Sequence, residues 1–219
     1  MTPTPTPTTT APSPAVLADH RGRVVVLVTL AVGAALLAAT INVDSQSPRF
    51  AWAGLALAAV WATGFALAPG WRNTFAAGVG RHAVVGSLVG LATFGLFVAA
   101  AWIARRLDVL VGPIDDILRQ ADEQQLVWVI VLATVNAVAE ELFFRGALMS
   151  AFAARYAIAG STTLYVLVTV AGGNLALALA AAVVGTVFAW ERLLTGSLAM
   201  PIATHLTWTL LMVTAFPRS

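Results

Sequence analysis

Apolar runs long enough to cross a bilayer recur along most of this chain, and few folds can accommodate them. A hydrocarbon core takes roughly 20 residues of helix. Such stretches are expected at about Val24–Ile41, Ala51–Ala68, Ala83–Ala104, from Leu126 toward Arg155, Ser161–Ala171, Leu175–Trp190 and Ser197–Phe216. They number six or seven, depending on whether Gly172-Gly173-Asn174 interrupts one helix or separates two. Only 10% of the residues are charged, against about 25% in soluble domains, so charge is too scarce to clothe a water-facing surface. Transmembrane strands would alternate in short segments. These runs are long and rich in Ala, Leu and Val, which predicts helices that satisfy their own backbone in lipid. The expected fold is all-α: a polytopic transmembrane helical bundle with a disordered N-terminal tail.

Between the runs the chain is punctuated. Residues 1–20 open with Thr, Pro, Ser and Ala and offer no apolar face to bury, so a disordered tail is expected there. The helical domain should then occupy 21–219. Arg21 and Arg23 precede the first run, which is longer than a signal-peptide core and is followed by more spans, so a retained helix is expected. Residues 107–125 carry Asp108, Asp115, Asp116, Asp122 and Glu123 among apolar positions, with Pro113 inside. That pattern predicts an interfacial helix or ordered loop. Glu191-Arg192 and Thr195-Gly196 are expected to form a turn before the last run.

All 12 basic residues are Arg, which with the many Ala hints at a GC-rich prokaryotic genome, and they are scattered along the chain. No cluster marks a nucleic-acid footprint. Cysteine is absent, which excludes disulfides, thiolate metal ligands and a Cys nucleophile. The near-even distribution of Arg between the loops gives the positive-inside rule little to act on.

Glu140-Glu141-Leu142-Phe143-Phe144-Arg145 lies within an apolar run. A charged residue at the centre of a span costs about 2.5–3.5 kcal/mol, so three of them require compensation. Glu141 and Arg145 are four apart with the acid first, the favourable order for a helical ion pair. Glu140 points about 100° away from Glu141, above Asn136. One carboxylate therefore has a structural partner and the other is free for chemistry. Downstream, Asn174 follows two glycines, and His205 and Thr209 share a face of the last run. Thr209 could fix the His205 ring. His20 and His82 fall at segment edges and look interfacial. Polar residues in three separate apolar segments most plausibly meet in one interior site.

These residues resemble the CAAX protease and bacteriocin-processing (CPBP, or Abi) family of intramembrane proteases. Its first motif, two glutamates, three variable residues and an arginine, matches Glu140, Glu141 and Arg145 in full. Its second, an aromatic followed after three residues by His, finds its nearest counterpart in Val170–Asn174, with Val for the aromatic and Asn174 for the His. Its third, a His followed four residues later by Asn or Asp, matches at His205 but has Thr209 in second place. The resemblance covers about Leu126–Val213.

The resemblance implies a glutamic-type protease that hydrolyses a peptide bond in a membrane-anchored or hydrophobic substrate. Glu140 would activate a water, the Glu141–Arg145 pair would support it, and Asn174 and His205 would be its polar partners, converging on one cavity. With Asn174 in place of a His, no two-His-plus-Glu zinc site can be assembled, so no metal and no other cofactor is expected. The prokaryotic plasma (inner) membrane is the expected location. Two rival readings remain open at this point. One is a binding or immunity protein on the same scaffold that has lost catalysis, which the Asn174 and Thr209 departures motivate. The other is a small proton-coupled carrier, against which stands the lack of an internal repeat.

Overall fold

A computed structural model describes residues 20–43, 47–68, 74–75, 77–104, 106, 111–114 and 126–216. His20 already belongs to the first helix, whereas residues 1–19 of the expected tail and most of the acidic segment 107–125 lie outside the described residues. Within them the protein is all helical: α1 (His20–Asn42), α2 (Pro48–Leu67), α3 (Val79–Ala104), α4 (Leu126–Glu141), a π-helical continuation (Leu142–Leu148), α5 (Ala154–Val170), α6 (Leu175–Thr195) and α7 (Ala199–Thr214).

Counting the π turn with α4, five of these rods are long and apolar enough to span a bilayer. The remaining two, α5 and α7, rise roughly 25 Å each at 1.5 Å per residue. Leu27, Val84, Leu88, Trp52 and Leu194 are all more than 60% exposed. A surface this apolar belongs in lipid. The protein is a multi-pass membrane bundle.

Composition and punctuation account for the helix ends. Ser47 caps α2, its hydroxyl accepting from the Arg49 amide, and Pro48 occupies the first turn, where a missing N–H costs nothing. The break at Gly172-Gly173 does separate two helices: Gly173 takes a φ of +79°, and Asn174 then caps α6. Glu191 and Arg192, expected in a turn, instead belong to α6. The helix continues past them because the Glu191 carboxylate is paired inside the bundle, and Arg192 donates to the Gly196 carbonyl near the helix end. Gly196, left-handed at φ +63°, supplies the stop. Likewise, the long fourth run does not reach Arg155. The chain turns at 151–153, with Phe152 folded over Gly160, where any Cβ would meet its ring at 2.6 Å.

Packing follows small residues, as expected where lipid removes most of the hydrophobic drive between helices. α1 and α2 form a hairpin, α5 and α6 a second, and α3 lies along α7. On α3, a Cβ at Gly86 would sit 2.5 Å from the Met200 carbonyl and one at Gly90 2.6 Å from that of Thr204. Only glycine permits that approach. α4 runs between α2 and α7, and its π turn touches α2, α5 and α6. Around that turn Trp61, Phe143 and Phe144 are almost wholly buried, with Trp61 5.0 Å from each phenylalanine ring. Closely packed aromatic rings thus follow directly on the adjacent glutamates.

Candidate active site

The site begins where α4 widens. Glu140 and Glu141 are the last residues of regular α-helix before the π turn. A π turn inserts a residue into the helical repeat, a device frequent at functional sites. Here the Phe144 carbonyl accepts both from the Met149 amide and from the Ser161 hydroxyl of α5, at 2.9 Å. The irregular turn is therefore pinned to its neighbour rather than left loose.

Glu141 is fully buried and holds two partners on one oxygen. Its Oε1 lies 3.0 Å from Nη1 of Arg145 and 3.0 Å from Nδ1 of His205 on α7. Arg145 is equally buried, and its Nη2 donates to the Gly185 carbonyl of α6 at 3.1 Å. Its guanidinium lies over the rings of Tyr165, at 4.7 Å, and Phe188, at 5.1 Å. Such contacts offset part of the desolvation of the charge. His205 stacks on Phe188 with centroids 4.7 Å apart. The ion pair expected between Glu141 and Arg145 is present, and it reaches three further helices.

Glu140 stands apart from this arrangement. It is only partly buried, and its Oε2 accepts from the Tyr165 hydroxyl of α5 at 2.8 Å. Asn136, one turn before it, directs its amide elsewhere, tying α4 to α2 by donating to the Gly54 carbonyl at 3.1 Å and also donating to the Leu132 carbonyl. The adjacent carboxylates therefore divide as helix geometry requires, one sealed in an ion pair and one on a separate sector with a single neutral donor.

Two expected partners are placed elsewhere. Asn174 does not join Glu140 and His205. Its Oδ1 caps α6 by accepting from the Leu177 amide, and its Nδ2 donates to the Pro113 carbonyl at 3.0 Å. It precedes Gly185, where Arg145 docks, by about three helical turns, roughly 16 Å of rise. Both ends of its amide are already used. Thr209 does not hold the His205 ring: its hydroxyl is buried with no partner among the described residues, and Nδ1 of His205 belongs to Glu141. A threonine side chain is too short to compete with that carboxylate.

Three residues that sequence reasoning passed over do belong here. Tyr165 is the donor to Glu140, and Thr169 is buried one turn further along the same helix, its hydroxyl returning to the Tyr165 carbonyl. An aromatic followed four residues later by a polar side chain was thus available at Tyr165–Thr169, five positions before the Val170–Asn174 reading, with threonine where the motif has His. Glu191 is the third. It is 4% exposed and accepts from the Thr204 hydroxyl at 2.6 Å, and Thr204 also touches the Gly86 carbonyl at 3.0 Å. This ties α3, α6 and α7 together beside His205.

The site lies within a stretch of the chain that resembles a known family. Residues 122–211 match the family described as type II CAAX prenyl endopeptidase Rce1-like. The match spans every residue named in the site from Glu140 to Thr209. No curated protein and no solved structure matches the chain.

Proposed function

We propose, from the match of residues 122–211 to the Rce1-like family of type II CAAX prenyl endopeptidases, that this multi-pass membrane protein is a CPBP-type intramembrane endopeptidase acting on a membrane-anchored or lipidated peptide. The observation that carries the reading is the division of labour between adjacent carboxylates. Glu141 is sealed by Arg145 and His205, while Glu140 is partly open and has one oxygen without a hydrogen-bond donor among the described residues. A carboxylate so placed can accept a proton from water. The water oxygen would then bond to the scissile carbonyl carbon as its π electrons move to oxygen. The proton would pass from Glu140 to the amide nitrogen as the C–N bond breaks. No Ser or Cys nucleophile is required. A prokaryotic plasma membrane is the proposed setting.

A second reading, a binding protein that has lost catalysis on the same scaffold, is favoured by one observation: Nδ1 of His205 is engaged by Glu141 rather than by Glu140. The test is cleavage by the purified protein in lipid, against membrane-anchored and lipidated peptides, with products read by mass spectrometry. The protease reading expects cleavage that persists with a chelator. No cleavage, where an active family member cuts the same peptides, would favour the binding protein.

A further inference from the structure

We infer that the Tyr165 hydroxyl is a positioning group for Glu140 that decides which carboxylate oxygen works as the base. The inference rests on Glu140 being the base and deepens that reading. The phenol O–H can donate a single hydrogen bond, and at 2.8 Å it points to Oε2 of Glu140. A carboxylate has two oxygens, so engaging Oε2 leaves Oε1 for the water. The donor's ring is held by two neighbours. Phe144 meets it edge-on with centroids 4.8 Å apart, and the Arg145 guanidinium lies 4.7 Å from its centroid. The Thr169 hydroxyl engages the Tyr165 carbonyl one turn on.

These contacts form one continuous chain: His205 to Glu141, Glu141 to Arg145, Arg145 to the face of Tyr165, and Tyr165 to Glu140. The sealed ion pair therefore has a second consequence. It fixes the ring whose hydroxyl orients the open carboxylate, and so couples α4, α5 and α7 at the reacting group. Tyr165 keeps its own proton throughout. Only Oε1 of Glu140 takes the proton from water and returns it to the leaving nitrogen.

Tyr165→Phe removes the hydroxyl and retains the ring, so its packing against Phe144 and Arg145 survives. In lipid, with a peptide that the wild type cleaves, the expected result is a kcat lower by roughly 10- to 100-fold with little change in KM, the scale of a misplaced reacting group. An infrared comparison supplies a readout independent of turnover. The carboxyl band that disappears in Glu140→Gln should shift in Tyr165→Phe. Unchanged kcat in Tyr165→Phe, beside an inactive Glu140→Gln, would overturn the inference and leave the protease reading standing. An unshifted Glu140 band would also overturn it, as would parallel losses in KM, kcat and thermal stability, which mark a packing role. Equal cleavage by wild type and Glu140→Gln would instead refute the protease reading, and the inference with it.

Discussion

Glu140 and Glu141 are neighbours in the chain with opposite surroundings, and the 100° step of the helix is the reason. One turn carries Glu141 to Arg145, whose guanidinium is itself pinned by the Gly185 carbonyl and two aromatic rings. Removing one partner strands the other in a dry interior. Glu141→Ala is therefore expected to lower stability by about 3–5 kcal/mol, because Arg145 loses its counter-charge; denaturant unfolding in detergent measures it. Loss below about 1 kcal/mol would mean that the pair is hydrated and not the support described. At this scale the sequence was legible where spacing carries the information: the ion pair follows from the four-residue interval. Tyr165 was legible only as a motif position four residues before Thr169; that it faces a carboxylate was not, because an aromatic in an apolar helix ordinarily packs. Asn174 shows the reverse. Its position just after two glycines and before an apolar run is that of a helix N-cap, and that local role uses the amide before any distant partner can.

The elements show a similar pattern. Lengths and apolarity located the helices but not all of their ends: α5 begins at Ala154 instead of Ser161 and α6 runs on to Thr195 past Trp190, while Gly173 marked the break between the two. What the runs could not show is which helices pair, since every lipid-facing stretch resembles the next. α3 pairs with α7 because Gly86 and Gly90 admit the Met200 and Thr204 backbone. Gly90→Leu is expected to force the two apart and destabilise the bundle by about 1–3 kcal/mol, as overpacking does, measured as an earlier thermal transition. Thr204→Val should also destabilise, by about 1–3 kcal/mol, by leaving the buried Glu191 carboxylate without its donor. Glu191 itself was hidden by its place near the end of an apolar run, where a charge reads as a loop residue. Asn174→Ala removes the cap and its tie to Pro113, and an expected loss of about 1 kcal/mol would appear in the same experiment.

Over the whole molecule, the bundle arranges its polar groups by depth of enclosure. The outside is apolar on α1 to α6, the Glu141–Arg145–His205 cluster is sealed at the contact of α4, α6 and α7, and Glu140 stands at its edge toward α5. A glutamate protease needs this combination: a rigid, dehydrated support and one carboxylate that water can reach. The class of fold was legible from composition alone. The meeting of distant segments was legible only as a requirement that buried charge find partners, not as a set of contacts. The most direct measurement is peptide cleavage in lipid by wild type against Glu140→Gln, a substitution that keeps side-chain shape and removes the proposed base. The account predicts cleavage by the wild type and at least a hundredfold loss in the variant, the scale of a general base. Equal cleavage by the two would contradict it.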